Sequence, residues 1–564
     1  FIVKYVNLRI FIMNKFFDGL VKNTAKYLVN YFLYYLNYFK IKKGNENKHS
    51  SVNFDTKKPK ILIFCTEILI ENYLVNTMSV WLHIKENFNA LFVKNFDNLP
   101  SCAFRNELLF YKDISKKYPV KEINRFSKNV YIKCIESFER KIESLNINYV
   151  NLNEFNIDEI NIDDKNFLSN DVKDFLSFTY KGFEVAKICM YDYYIINKTS
   201  IASPSISQIY DLRVRVKSAI KIIDYLDKIF SKYGFKYIFV KDDYSNAVIT
   251  RLWCKKKAIK VFSMENTIGH YAKISFEVTP TFNYAERNQI VVDRWNDWKN
   301  IPLQPEIVSE ILNTLILRTK NYGSHNFTPR YDHGFKDNLK NKFSFSNKKK
   351  VIGLFTSSDD EEKAMSTIVE VFDSKIDIFD AFKDQADWIN KTINFVEKNN
   401  DYQLIVVFHP RLYKNQQSEV ISDDLKRFEV MFKNKIFKNT TFVWPQELIS
   451  SYNIFEIIDI GVVSWSSIGM EMSSLGIPVI SGLEKTFRKT PNFPGIIKPS
   501  SEKEYFRLIE ENIMKKPNID LMIESLRWNN LYHLGNAITN DKLSDLFNDK
   551  KYLKITSENF DNSY

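Results

Sequence analysis

The stretch Ile460-Gly461-Val462-Val463-Ser464-Trp465-Ser466-Ser467-Ile468-Gly469-Met470-Glu471 decides the fold. Its first four residues form an apolar run that reads as a strand. Helical spacing begins at Ile468 and continues to Leu475, and Gly476-Ile477-Pro478 then leads into a second short strand, Val479-Ile480. Strand, hydroxyl-rich turn, helix and strand make a βαβ unit, the building block of a parallel sheet covered by helices.

The same rhythm extends outward from this stretch. Strands are expected over 351–355, 404–408 and 441–444, with helices over 378–397, near 447–455, over 502–515 and over 519–531. In the 378–397 segment, Ile378, Phe379, Phe382, Ala386, Ile389, Ile393 and Val396 fall on one stripe. The first half repeats the pattern less regularly. Strands are expected over 61–64, 90–93, 237–240 and 260–263, and helices over 67–86 and 245–257. Residues 100–230 are mostly helical in pattern.

Polar, turn-rich stretches punctuate the chain at 44–58 and 320–349. They predict an amphipathic N-terminal segment with its linker over 1–55 and a Rossmann-like domain with a helical insertion over 56–335. A second Rossmann-like domain is expected over 336–540, and a polar tail over 541–564. Within 1–43, Phe11, Phe16, Phe17, Leu20, Tyr27, Leu28, Tyr31, Phe32, Tyr35 and Phe39 alternate with lysines at helical spacing. That pattern fits a helix lying on an anionic membrane surface equally as well as one packed on the body of the protein. The chain opens on Phe1, so the reading expects either a fragment or a start at Met13.

Composition narrows the function classes. The 564 residues are 45% hydrophobic and 26% charged, the balance of a folded globular chain. Only 14 Gly and 15 Pro occur, too few for a repetitive turn-rich β protein, and no uncharged apolar run is long enough for a polytopic membrane protein. The five cysteines are scattered without a CxxC pair, which argues against a disulfide framework or zinc site and for a reducing cytosol. A net charge of +12 suits an anionic partner. Because that charge is diffuse and no recognised binding motif accompanies it, nucleic acid is not the expected partner.

In open α/β sheets ligands bind beyond the carboxyl ends of the strands, so the residues just past each strand carry the chemistry. His409-Pro410-Arg411 closes one strand: Pro410 ends the ladder and holds His409 at the tip, where His409 and Arg411 could donate to phosphate. Ser466 and Ser467 sit where a helix begins, with Glu471 one turn further on. Thr356-Ser357-Ser358 follow another strand, and Ser358 or Asp359 serves equally well as a helix cap. On the first half, Asp242 and Asp243 follow one strand and Glu265 another, with His270 close by. Any of these could be a general base.

As a set, Phe355-Thr356-Ser357-Ser358, Trp388-Ile389, His409-Pro410, Ser466-Ser467-Ile468-Gly469-Met470-Glu471 and Gly476-Ile477-Pro478 resemble the capsule polysaccharide biosynthesis group of GT-B glycosyltransferases. The resemblance covers roughly residues 350–500. It is fainter in the first half, through Asp242, Asn246, Arg251 and Glu265-Asn266-Thr267-Ile268-Gly269.

The resemblance implies a GT-B fold, α/β, with two Rossmann-like domains facing across a cleft and helical additions in the N-terminal half. It implies a nucleotide-sugar donor whose phosphate is held by His409, Ser466 and Ser467, with Glu471 on the ribose; Thr356, Ser357 and Arg411, placed at strand ends, are further donor-site candidates. His409 and Glu265 are then the expected catalytic pair, Glu265 as base, with Asp242, Asp243 and His270 as acceptor-side candidates. No metal and no cofactor are expected. The acceptor would be a surface polysaccharide or lipid-linked glycan, and the protein would be cytoplasmic, peripheral on the inner membrane face. The alternatives are a CDP-polyol phosphotransferase of teichoic-acid type, a sugar-nucleotide epimerase and, from another class, a basic nucleic-acid-binding or scaffold protein.

Overall fold

The structure, a computed structural model, describes residues 54–64, 88–94, 99, 148–155, 157, 160–241, 244–266, 275–279, 281–321, 328–332, 339, 342–343, 348–375, 381–415, 418–484, 490–515, 519–534 and 537–539. The expectations for residues 1–43, 67–86, Asp242, Asp243, His270 and the tail over 541–564 lie outside the described residues.

Strands are numbered along the chain. β1 (Lys60–Ile63), β2 (Asn89–Lys94), β3 (Tyr149–Asn151), β4 (Tyr237–Lys241), β5 (Lys260–Asn266) and β6 (Ser275–Thr279) belong to a first sheet. β7 (Lys350–Phe355), β8 (Tyr402–Val407), β9 (Thr440–Val443), β10 (Ile460–Val463), β11 (Val479–Ser481) and β12 (Ile496–Ile497) form a second, and β13 (Ala537–Thr539) returns to the first. Helices of seven residues or more among the described residues are α1 (Val185–Asn197), α2 (Ile206–Tyr233), α3 (Ser245–Lys256), α4 (Tyr284–Asp293), α5 (Pro305–Thr319), α6 (Asp359–Val371), α7 (Gln385–Glu397), α8 (Asp423–Phe432), α9 (Ile468–Ser474), α10 (Glu502–Asn512) and α11 (Ile519–Asn529).

Strand order settles the fold class. The second sheet runs β9-β8-β7-β10-β11-β12 and is parallel at every pairing. Numbered from β7, that is 3-2-1-4-5-6, the order of a doubly wound Rossmann sheet. The first sheet runs β3-β2-β1-β4-β5 in the same order, then adds β6 and β13 antiparallel. The expected α/β architecture of two Rossmann-like units is therefore present, with α1 and α2 as the helical addition before β4. The donor domain expected over 336–540 includes residues 537–539, yet these pair with β6: Ile538 stands opposite Phe276.

Alternation on the second sheet explains its two-sided core. Ile352 and Leu354 of β7, Leu404 and Val406 of β8, and Ile460 and Val462 of β10 pack with Trp388, Ile389 and Tyr505 of α7 and α10. Val351, Phe355, Ile405, Val407 and Val463 point the other way, towards Met470, Trp528 and Tyr532. With both faces covered, the strands read as unbroken apolar runs. Helix α7 starts at Gln385 because the Asp384 side chain accepts from the Asp387 N–H at 2.8 Å. Helix α2 opens on a capping box in which the Ser205 N–H donates to Gln208 Oε1 at 2.7 Å.

The two units share apolar ground. Ala364, Met365, Ile368 and Phe372, from α6 and its end, join the core of the first sheet, packed on α1. Val291 and Trp295 join the core of the second. Among the described residues no helix is long and apolar enough to cross a membrane.

Candidate functional site

In the second sheet the order in which strands are added reverses between β7 and β10, which is the topological switch point. The register aligns the tips: Phe355 pairs with Val463 on one side and with Val407 on the other. Thr356-Ser357-Ser358, His409-Pro410-Arg411 and Ser464-Trp465-Ser466-Ser467 thus leave the same carboxyl edge. These are the loops picked out from the sequence, and the fold brings them together.

The first two loops are tied directly. The His409 N–H donates to Thr356 Oγ1 at 2.9 Å. His409 caps the short 3-10 turn Pro410–Leu412 with its own ring, Nδ1 accepting from the Arg411 N–H at 3.2 Å. With Nδ1 an acceptor, a neutral ring carries its proton on Nε2. His409 is half-buried, whereas Thr356 and Ser357 are buried. The Ser357 hydroxyl has no hydrogen-bond partner among the described residues.

At the third loop the Ser466 N–H donates to the Ser464 carbonyl at 2.9 Å. Ser466 and Ser467 are half-buried. Ser467 occupies the N-cap of α9, but its side chain makes no capping bond, so its hydroxyl is not consumed by the helix.

Two residues expected to hold ligand have other occupations. Arg411 is buried: its Nη1 donates to Ser358 Oγ at 2.8 Å and to Asp360 Oδ2 at 2.5 Å, and its Nη2 donates to the Ile195 carbonyl at the end of α1 at 3.3 Å. Burial opposes the charge on Arg411, but Asp360 and Glu361 outweigh it and keep the guanidinium protonated. Arg411 therefore ties the two units together through these bonds. Glu471 is likewise buried: Oε2 accepts from the Tyr452 hydroxyl at 2.7 Å, and Oε1 lies 3.0 Å from Arg318 Nε. Burial, then the Glu471 carboxylate, pushes the Tyr452 phenol well above its ordinary value. Both Glu471 oxygens thus have partners within the protein.

On the first sheet, Glu265 does not follow its strand as expected. β5 continues to Asn266 because β6 pairs with it, Met264 opposite Val278 and Glu265 opposite Glu277. Near the first unit's own switch point, Asp192 of α1 accepts from the Ser245 N–H at 2.8 Å and from its hydroxyl at 2.8 Å, while Arg215 pairs with the same carboxylate at 2.5 Å. A protein carboxylate thus takes the first free N–H of α3, where an anion would otherwise bind.

Sequence reasoning missed Gln385, Lys198 and Asp424 near the second switch point, and saw Asp359 only as a helix cap. Gln385 is buried, and its amide bonds to Ser357, Ser464 and Asp359. Lys198, which ends α1 in a left-handed conformation (φ 47°), donates from Nζ to the carbonyls of Tyr413 at 2.9 Å and Val420 at 3.0 Å. Burial, reinforced by nearby Arg411, lowers Lys198 to about 7. Burial raises Asp359 to about 6, against the pull of Arg427, and burial together with the Asp359 charge raises Asp424 to about 8. A capping signal was available for one of them: Asp384 followed by Asp387 fixes the helix start and so puts Gln385 at the sheet's edge. Among the described residues no group of His, Cys, Asp and Glu is arranged to hold a metal ion.

No family model and no curated protein matches the chain. Among solved structures, Thermosulfurimonas dismutans KpsC, described as a beta Kdo 2,4 transferase, is similar at 13% identity over 56% of this chain and 88% of that one, with a TM-score of 0.34. The UDP-GlcNAc 2-epimerase from Neisseria meningitidis bound to UDP-GlcNAc is similar at 11% identity, over 87% and 100% of the two chains, with a TM-score of 0.27. The S. aureus MnaA–UDP structure is similar at 10% identity, over 88% and 96%, with a TM-score of 0.26. Likeness at these scores carries no argument about activity, and the fold class rests on the strand order itself.

Proposed function

We propose that the chain is a glycosyltransferase that binds a nucleotide-activated sugar at the switch point of the second sheet and transfers the sugar to a surface polysaccharide or lipid-linked glycan. The observation that supports this most is the meeting of three hydroxyl- and imidazole-bearing loops at one carboxyl edge, between β7 and β10. Hydroxyls, backbone N–H groups and an Nε2–H at that place suit a diphosphate or monophosphate.

In this reading Thr356 positions His409, while Ser357, Ser466 and Ser467 contact the donor phosphate. His409 donates to the phosphate oxygen as the sugar–oxygen bond breaks and charge builds on the leaving nucleotide. Arg411 and Glu471 support the site from within the protein. The acceptor approaches from the first unit, with Glu265, near the carboxyl end of β5, taking the proton from its hydroxyl. Asp192 at α3 fits this division, since it fills the first unit's corresponding anion position.

Thermal denaturation with CMP, CDP, UDP, GDP and their sugar conjugates tests the proposal. A true donor stabilises the wild type. His409→Ala should keep the fold and lose transfer on the order of 100-fold. Stabilisation by none of them, or undiminished turnover by the variant, overturns the reading. Conversion of a sugar nucleotide without acceptor would point to epimerisation instead.

A further inference from the structure

We propose that Gln385 is a positioning residue that fixes the spacing of the two loops flanking the second switch point and so presents the Ser357 hydroxyl to the nucleotide; this rests on the function proposed above. β7 and β10 remain paired only as far as Phe355 and Val463, and beyond that register the two chains part. Gln385, the first residue of α7, spans the gap. Its Oε1 accepts from the Ser357 N–H at 2.6 Å and from Ser464 Oγ at 3.3 Å. Its Nε2 donates to the Ser357 carbonyl at 3.2 Å and to Asp359 Oδ1 at 3.1 Å.

The amide therefore treats Ser357 as an adjacent strand would, taking both its N–H and its C=O. It is 1% exposed, and two partners stand on each side of it, so only one orientation of the amide satisfies all four groups. With the backbone of Ser357 occupied, its hydroxyl is the one polar group of the residue left over. That hydroxyl is buried, with no partner among the described residues. A buried hydroxyl without a partner calls for an explanation, and a ligand oxygen would supply one. On the other loop, the same Ser464 that donates to Gln385 accepts from the Ser466 N–H, so the clamp also sets where Ser466 and Ser467 begin.

The test compares Gln385→Glu, Gln385→Leu and Ser464→Ala with the wild type, measuring apo thermal stability and affinity for UDP and CMP. Glutamate keeps the shape and the acceptor, but when ionised it opposes the Ser357 carbonyl and Asp359. The charged groups acting on Asp359 are Arg427, Asp360, Asp384 and Asp424. Once protonated, the glutamate regains a donor. Gln385→Glu should therefore bind nucleotide roughly tenfold or more weakly at about pH 8 and approach the wild type at about pH 6. Ser464→Ala, which removes only one hydroxyl, should also weaken binding, and less than additively with Gln385→Leu.

Equal nucleotide affinity in Gln385→Glu, Ser464→Ala and the wild type, at both pH values, overturns the positioning role while leaving the proposed function standing. Failure of the wild type to bind any nucleotide overturns the proposed function and this role with it. Should Gln385→Leu not fold, the glutamate and Ser464 variants still decide the matter.

Discussion

The Arg411 guanidinium and the Asp360 carboxylate meet at 2.5 Å with both side chains buried, and the same guanidinium reaches the Ile195 carbonyl of the other unit. An isolated charge left at that place would be far more costly than the pair.

Arg411→Ala should therefore destabilise the protein by about 3–5 kcal/mol, since it strands Asp360. The double variant Arg411→Ala, Asp360→Ala should recover part of that loss. Urea denaturation of the single and double variants measures it. A single variant as stable as the wild type would mean that Asp360 finds water or another cation.

Glu471 is predicted to act on stability before it acts on ligand. Glu471→Gln removes the carboxylate that faces Arg318 and Tyr452 in a buried place and should cost about 1–3 kcal/mol, with nucleotide affinity little changed at temperatures where the variant is folded. The opposite pattern, full stability with selectively weakened binding, would return Glu471 to the ribose.

Asp359 and Asp424 make stability depend on pH. Their carboxyls hold protons in the folded chain up to about 6 and about 8, against an ordinary value of 3.8. Between those limits the folded chain binds more protons than the unfolded chain, so this pair loses stability as pH rises. Lys198, lowered to about 7, acts in the opposite sense, and only above that pH. Asp424→Asn removes one of the two carboxyls. Its stability relative to the wild type should grow by on the order of 1 kcal/mol or more from pH 5 to pH 7. Denaturation midpoints at both pH values read this out, and a constant difference would refute it.

Gly482 is predicted to tolerate no side chain. It follows β11 at the same carboxyl edge, and a Cβ there would stand 2.3 Å from Trp388 Nε1. That indole is held in place by its bond to the Tyr505 hydroxyl at 2.9 Å, so it has little room to yield. Gly482→Ala should cost on the order of 1–3 kcal/mol and alter the tryptophan fluorescence. A variant with unchanged stability and emission would show that the loop moves instead.

The second sheet was largely legible in the sequence, because strands buried on both faces are unbroken apolar runs. Ile460–Val463 begins and ends where the apolar run does, and His409 stands at a strand tip because Pro410 cannot continue the ladder. What escaped the sequence depends on contacts distant along the chain. Arg411 looks like a phosphate ligand until α1, more than 200 residues earlier, closes over it. Glu265 seems to follow its strand until β6 extends the pairing past it. Gln385 carries no motif at all, and its role appears only when Ser357 and Ser464 come within reach of one amide.

The pairing of Ala537–Thr539 with Ser275–Thr279 has a topological consequence. The polypeptide leaves the first sheet, builds the whole second one, and comes home to finish the first. The first half cannot then be cut out as a continuous segment with all its own strands, whereas β7 to β12 are consecutive, and the first sheet gains its outermost strand only after the second is complete.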